Sequence, residues 1–302
     1  MKKVIVRLGN GLGNQLFTYA SAFAFAKRNN AKLYIDDKSG FYKRHKYELH
    51  NFTISGTIVD KKYKFLGPLG RLKRRIMKKF GLKSSFFIEE VDEKKLSYYN
   101  PIKFEHNFNN TLYFEGYFQS EKYFEKYKKE ILTEFTFKEH LKKDQPQSII
   151  KNIKNSNSVS IHLRQEKFLK DENHKDLEKI NLEHFDNNIE IINRGIKYFD
   201  KNLENPSYFV WSNNFDKLEK LFPSKKFTLI KTNLTKDPAY DLYLMSLCKN
   251  FILSPSTLHY WGAFLSKNPS KICLSPINVK NKSGYYGFSN NRDIKPNWWK
   301  DI

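Results

Sequence analysis

Apolar residues in this chain fall into two patterns. Short runs rich in Val, Ile and Leu predict strands, and longer stretches with apolar positions three or four apart predict helices. Lys3 to Leu8 is the first strand, the glycines from Gly9 to Gly13 must turn, and Asn14 to Arg28 carries Ala and Phe at helical core spacing. Ala31 to Ile35 follows as a second strand. Strand, crossover helix and strand make a βαβ unit and imply a parallel sheet. Ser120 to Glu134 predicts a helix with Tyr123, Phe124, Tyr127 and Ile131 on one face.

The βα alternation resumes after residue 157. Strands are predicted at Val159 to Leu163, Tyr208 to Trp211, Phe227 to Ile230, Phe251 to Leu253 and Lys271 to Leu274. Helices are predicted at Leu182 to Phe199, Phe215 to Leu221, Tyr240 to Cys248 and Ser256 to Leu265, and a loop-forming tail from Val279. Pro146 and the Lys, Asn and Ser around it give Gln145 to Asn157 the composition of a linker. The expected architecture is α/β, with two Rossmann-like domains, residues 1–150 and 151–302, facing a cleft.

Composition sharpens this picture. The 302 residues hold 26 Phe, 18 Tyr and 4 Trp, too many aromatics for a disordered chain. Cys248 and Cys273 cannot build a disulfide framework and point to a reducing compartment. No stretch approaches the ~20 apolar residues of a membrane span, and the start has no secretory h-region, so a cytoplasmic protein is expected. Lys and Arg number 54 against 32 Asp and Glu, a formal charge of +22, which favours anionic partners. Lys61 to Lys83 holds ten Lys or Arg and no acid. With Leu72, Ile76 and Phe80 at helical spacing, this reads as a basic amphipathic insertion near 61–85. It is either a solvated face or a peripheral dock at the anionic inner face of the plasma membrane.

Three constellations could carry chemistry. Gly9-Asn10-Gly11-Leu12-Gly13-Asn14-Gln15 opens a helix, where backbone N–H groups and the dipole favour a phosphate. Its glycine spacing is not that of the dinucleotide fingerprint, and no Walker lysine follows; a plain tight turn is the competing reading. Ile161-His162-Leu163-Arg164 ends a strand, and alternation puts His162 and Arg164 on one side. An Arg there suits a pyrophosphate, or makes only a surface ion pair. Ser256-Thr257 begins a helix and either caps it or also holds a phosphate. Trp211-Ser212-Asn213-Asn214 ends another strand, as a turn or as a reader of base and ribose. No His-Glu-x-x-His, Cys-x-x-Cys or Asp-x-Asp signals a metal site.

Together these motifs resemble one family, the α-1,2-fucosyltransferases of glycosyltransferase family 11. Arg7 to Ala20 is similar to the family's Gly-Gly-Leu-Gly-Asn-Gln-Leu-Phe-Gln-Tyr-Ala opening. Tyr47-Glu48-Leu49, Gly116 to Phe124 and Tyr243 to Asn250 resemble further family stretches in the right order. His162 to Phe168 departs from the family's His-x-Arg-Arg-Gly-Asp-Tyr, with Gln165 for the second Arg and Lys167 for the Asp. Pro255 to Trp261 departs from Asn-Ser-Thr-Phe-Ser-Trp-Trp. The resemblance implies a GT-B fold, GDP-L-fucose as co-substrate with no cofactor or obligatory metal, and inversion at the anomeric carbon. It also implies a galactoside-type glycan acceptor, lipid-linked where surface glycans are built.

On that reading residues 151–302 bind the donor through His162, Arg164, Trp211, Ser212, Asn213, Ser256 and Thr257, joined by Gly11, Gly13 and Asn14 of the acceptor-side domain. Arg164 meets the charge that grows on the departing diphosphate, and Glu166, with Asp36 as the other candidate, is the base that deprotonates the acceptor. Three other classes compete. A nucleic-acid binder accounts for the charge but lacks a motif or stacking platform. An inactive sugar-nucleotide binder accounts for the lost Arg and Asp, and a dinucleotide oxidoreductase is opposed by the glycine spacing.

Overall fold

A computed structural model describes residues 1–41, 45–80, 86–90, 99–106, 108, 110–164, 176–216, 218–223, 225–231, 237–275 and 293–302. The chain divides into two compact units. The first runs from Met1 to Lys138 and takes back Asp293 and Ile294; the second begins at Glu139 and includes Lys295–Ile302. Among the described residues no helix is long and apolar enough to cross a membrane.

The first unit contains β1 (Lys3–Arg7), α1 (Leu12–Arg28), β2 (Lys32–Asp36), β3 (Thr57–Ile58), α2 (Gly67–Lys79), β4 (Phe87–Glu89), β5 (Thr111–Glu115) and α3 (Lys128–Glu134). Its parallel sheet has the order β3-β2-β1-β5-β4. Val4, Ile5 and Val6 of β1 are all fully buried, as a central parallel strand covered on both faces must be. Helix α1 is buried from Leu12 to Ala26 except at Asn14. The aromatic excess explains how. Phe17 meets Phe124, Tyr19 meets Phe135, and Phe25 meets Phe104, Phe108 and Phe114, so rings close over the helix where it leaves the sheet.

Two expectations change here. The helix expected from Ser120 is two 3₁₀ turns, Glu121–Tyr123 and Glu125–Tyr127, and only then α3. Tyr123 and Phe124 are both buried. Consecutive side chains point about 100° apart on an α-helix, and the broken turn lets both rings face inward. Strands β3, β4 and β5 carry no clear alternation and were not expected from the pattern.

The second unit contains α4 (Glu139–Lys143), α5 (Gln147–Asn155), β6 (Asn157–Leu163), α6 (Leu177–Asn202), β7 (Pro206–Ser212), α7 (Leu218–Leu221), β8 (Phe227–Leu229), α8 (Pro238–Leu247), β9 (Asn250–Ile252), α9 (Thr257–Leu265), β10 (Cys273–Ser275) and β11 (Lys300–Asp301). The expected linker is mostly α5. Its buried Ile150 and Ile153 form a narrow apolar face that Lys and Asn obscure in the composition. The sheet order is β11-β10-β9-β6-β7-β8, all parallel, which is the doubly wound Rossmann order. Val159, Ile161 and Leu163 pack on Ile191, Ile192 and Phe199 of α6. Ser158, Ser160 and His162 take the opposite face, as alternation requires.

Helix α2 is tied to the first unit by charge. Arg74 Nε donates to Glu115 at 2.8 Å, and Lys78 Nζ pairs with the same carboxylate at 2.8 Å. Burial alone would raise the Glu115 pKa; the Arg74 hydrogen bonds and the Lys78 and Arg74 charges outweigh it and hold the carboxyl below the ordinary value of 4.5. A depressed acid contributes stability above its unfolded pKa and loses it as pH falls through the folded one. Glu115→Gln, or acidification below about pH 4.5, is therefore expected to release α2. Hydrogen exchange checks this: α2 amides lose protection while α1 amides keep theirs.

Candidate functional site

The second unit reverses its winding between β6 and β9. From these neighbours the chain steps outward to β7 and β8 on one side and to β10 and β11 on the other. Ligands of doubly wound sheets bind at the carboxyl ends of the strands flanking such a reversal. His162 and Arg164 stand at the end of β6, and Leu253 to Ser256 lead from β9 into α9. The two ends are bonded together, because Ser254 Oγ donates to the His162 carbonyl at 2.5 Å.

Helix α9 begins at this point. Ser256 is its N-cap, and its Oγ accepts from the His259 N–H at 3.3 Å. From His259 to Leu265 every residue is buried, whereas Ser256, Thr257 and Leu258 are half-exposed. The first-turn N–H groups have no intrahelical acceptors, so they and the Thr257 hydroxyl present donors beside a positive dipole end. Arg164 adds a permanent positive charge at the neighbouring strand end.

Beneath these donors lies a pair of histidines. His259 Nε2 and Ser160 Oγ are 3.0 Å apart, and the His162 and His259 rings are centred 5.8 Å apart. Burial lowers the His162 pKa to about 4, helped by the charges of Arg164 and His184. Burial and His162 hold His259 well below its ordinary value. Both imidazoles are therefore neutral near pH 7, and their Nδ1 atoms are buried without a hydrogen-bond partner. From α6, the Asn188 amide donates to the Arg164 carbonyl at 3.4 Å and lies 3.0 Å from His184 Nε2. That contact fixes the backbone from which Arg164 projects.

The remaining expected donor residues divide. Trp211 sits beside His162 in the sheet register and is 1% exposed, a core ring whose indole Nε1 is buried without a partner. Ser212 Oγ donates to the Asn214 carbonyl at 2.5 Å, and Asn214 Oδ1 accepts from the Asp216 N–H, so Ser212-Asn213-Asn214 is a hydrogen-bonded turn at the end of β7. Glu166 lies outside the described residues.

In the first unit the glycine loop follows β1, a central strand flanked by β2 and β5. Asn10, with φ 61°, makes the left-handed turn. Gly9 is needed by packing, since a Cβ there would lie 2.5 Å from the Gly40 carbonyl oxygen. Gly11 is the N-cap of α1 and has no such constraint: its Cβ would find only the His45 ring at 3.7 Å. Gly13 and Gln15 are buried within α1. Gln15 Nε2 donates to the Asn10 and Lys46 carbonyls at 2.9 and 2.8 Å, and its Oε1 accepts from the Glu48 N–H at 3.0 Å. Asn14 Oδ1 accepts from Gln119 Nε2 at 2.8 Å, and Thr18 Oγ1 donates to the Gly116 carbonyl at 2.9 Å. The stretches around Glu48 and Gly116 therefore meet the glycine loop.

Asp36 does not offer a base. It is fully buried, its Oδ1 accepts from the Lys38 and Ser39 N–H groups at 3.1 and 2.9 Å, and Ser39 Oγ bonds the other oxygen. Asp37 pairs with Lys64 at 2.6 Å. Among the described residues no three His, Cys, Asp or Glu converge as a metal site. Sequence reasoning missed His184, Asn188 and His259 as site residues. A usable signal existed for the α6 pair, since a His and an Asn four apart share one helix face.

The family model described as Glycosyl transferase family 11 matches residues 2–300. The chain belongs to glycosyl transferase family 11. It is a glycosyltransferase. Among the family 11 chain's curated relatives, the O-antigen biosynthesis glycosyltransferase WbnK of Escherichia coli is 25% identical over 289 residues, covering 89% of this chain and 92% of that one. The alpha-1,2-colitosyltransferase of Escherichia coli is 26% identical over 289 residues, covering 91% and 92%. The α-1,6-fucosyltransferase NodZ, solved after soaking with GDP-fucose, shares the fold with a TM-score of 0.51 at 14% identity, covering 87% of this chain and 92% of that one. With two parallel α/β units, the fold is of the GT-B class.

The neutral histidine pair has a pH signature. A folded-state pKa of about 4 for His162 lies below the ordinary 6.5, so the unfolded chain binds the extra proton between these values. Stability is then full above about pH 6.5 and falls toward pH 4, by up to about 1.4 kcal/mol per pH unit per histidine. Urea unfolding at pH 7.0 and 5.0 measures the slope. In His162→Gln the slope is expected to be shallower, and an unchanged slope would mean that His162 is protonated normally. A second contrast separates packing from ligand contact. Gly9→Ala is expected to cost about 1–3 kcal/mol by overpacking, while Gly11→Ala stays within about 1 kcal/mol of the parent.

Proposed function

We propose that this chain transfers L-fucose from GDP-L-fucose to a galactoside-type glycan acceptor in α-1,2 linkage, with inversion and without an obligatory metal, during surface glycan synthesis. One observation carries the reading: an arginine and an open helix N-terminus flank the reversal of winding in the second unit. Family 11 membership, the O-antigen role in the WbnK name and the GDP-fucose soak of NodZ support it.

In this mechanism the diphosphate lies across the ends of β6 and β9. The acceptor hydroxyl attacks the anomeric carbon from the face opposite the leaving group, and the electron pair of the breaking C–O bond goes to the β-phosphate. Arg164 and the first-turn N–H groups of α9 stabilise that growing negative charge, which matters most in the transition state. Ser256 and Thr257 hydroxyls complete the phosphate cradle. Neutral His162 and His259 sit under it as hydrogen-bonding groups and add no competing cation. The turn from Ser212 to Asn214 contacts the nucleoside. The glycine loop with Gly11, Gly13 and Asn14 belongs to the acceptor-side unit of this reading. Glu166, two positions after Arg164, takes the acceptor proton.

Arg164→Ala is expected to lower turnover by at least tenfold and up to about 150-fold, the loss of one charged hydrogen bond of about 1.5–3 kcal/mol. Arg164→Lys recovers only part, because lysine lacks the bidentate fork. Glu166→Gln is expected to keep GDP binding and lose turnover; retained turnover removes it as base. Thermal shift gives the donor class: GDP stabilises the protein more than UDP, with EDTA present. A larger shift with UDP, or turnover abolished by EDTA, contradicts the assignment. The colitosyltransferase relative favours a second reading, a donor carrying a deoxygenated fucose analogue. Comparing kcat/KM for GDP-fucose and GDP-colitose decides between them.

A further inference from the structure

Helix α2 is amphipathic in the reverse sense. Most surface helices bury their apolar stripe and wet their charges. This one turns Arg74 and Lys78 toward Glu115 and Glu89, and of its apolar side chains only Met77 packs against the core cluster of Ile5, Val59, Phe65, Phe87 and Tyr113. No residue of α2 is buried. Leu69 is 81% exposed, Leu72 48%, Ile76 45% and the C-cap Phe80 69%. At 3.6 residues per turn these four form a single stripe directly opposite Arg74 and Lys78. They are also four of the nine large apolar side chains that stand exposed among the described residues.

The surroundings of the stripe select its occupant. Lys73 and Lys79 are exposed on its two flanks, Arg75 and Arg71 are exposed farther round toward Lys78, and no acid occurs between Lys61 and Lys83. A cavity of about 470 Å³ beside the helix continues the positive surface, lined by Arg7, Arg71, Arg74, Arg75, Lys78 and Lys79 with Phe65 and Glu89. A second copy docking through the same face would set these cations against themselves. An apolar stripe bordered by cations fits instead the interface of a lipid bilayer with anionic headgroups, where apolar side chains enter the acyl boundary and Lys and Arg meet phosphates.

We propose that α2 is a membrane-docking helix. It lies in the plane of an anionic bilayer surface with Leu69, Leu72, Ile76 and Phe80 inserted, Lys73 and Lys79 at headgroup level, and Arg75 and Arg71 adding positive charge above them. Arg74 and Lys78 remain bonded to Glu115, so the helix carries the first unit with it. This contact is independent of donor identity.

The test is co-sedimentation of the full chain with vesicles of phosphatidylcholine alone or with about one-third phosphatidylglycerol. Binding is expected only to the anionic vesicles, falling as salt rises because headgroup attraction is screened. Changing Arg71, Lys73, Arg75 and Lys79 to Ser is expected to lower the partition coefficient by about a hundredfold or more. Changing Leu69, Leu72, Ile76 and Phe80 to Ser is expected to abolish binding at any salt. All eight side chains are exposed, and GDP binding of each variant checks that it is folded. Phe80→Trp provides a reading in an otherwise intact chain, with emission shifting to the blue on anionic vesicles and not on neutral ones. Equal binding to neutral vesicles, no binding, or binding that survives either set of substitutions overturns the proposal. So does a concentration-dependent dimer in solution that the Leu69, Leu72, Ile76 and Phe80 substitutions dissolve.

Discussion

A crossover between neighbouring parallel strands closes on one hand only. A sheet that begins in its middle must therefore wind outward in two directions, with its crossovers on opposite faces, and no crossover covers the strand ends where the direction changes. The second unit of this chain is built so, reversing between β6 and β9, whereas the first reaches its edge strand β4 before stepping inward to β5. The loops whose motifs resemble family stretches follow central strands of the two sheets: Gly9 to Gly13 after β1, Gly116 to Gln119 after β5, Arg164 after β6, and Ser254 to Thr257 after β9. The proposed diphosphate site uses the backbone donors left at the ends of β6 and β9.

Charge economy follows from burial. The face of β6 that meets α9 is polar, with Ser158, Ser160 and His162, and Ser158 Oγ accepts from the Lys249 N–H at 3.0 Å. A histidine so enclosed can stay only if it is neutral. Neutral His162 and His259 add no competing cation beside Arg164 at the end of β6. In the first unit the reverse solution appears. Glu115 is buried as a carboxylate, and it remains charged because Arg74 and Lys78 reach it from α2. That pairing holds a helix with nothing else buried, and so accounts for an apolar stripe turned to the outside.

Much of this was legible because it is local. The βαβ opening, the alternation that separates Ile161 and Leu163 from His162, and the N-cap at Ser256 each depend on residues within one or two turns. The linker reading failed because two isoleucines among lysines and asparagines make an amphipathic helix with little apolar content. Tyr123 and Phe124 defeated the helix pattern because both had to be buried. His259 could not be seen as a partner of Ser160, 99 positions earlier, until the sheet brought them together. Asp36 looked available as a terminal acid, yet the turn at Ser39 consumes it. Asn14 and Gln15 belong to a motif that resembles a ligand loop, and their side chains are spent bridging that loop to Lys46, Glu48 and Gln119.

On the proposed function a nucleoside diphosphate sits where the second unit reverses its winding. The most direct measurement is a crystal structure of the chain with GDP. The diphosphate is expected across the ends of β6 and β9, within hydrogen-bond distance of the Arg164 guanidinium and of the Thr257 and Leu258 N–H groups at the start of α9. GDP lodged elsewhere, for example against the glycine loop after β1 with Arg164 turned away, would contradict the account.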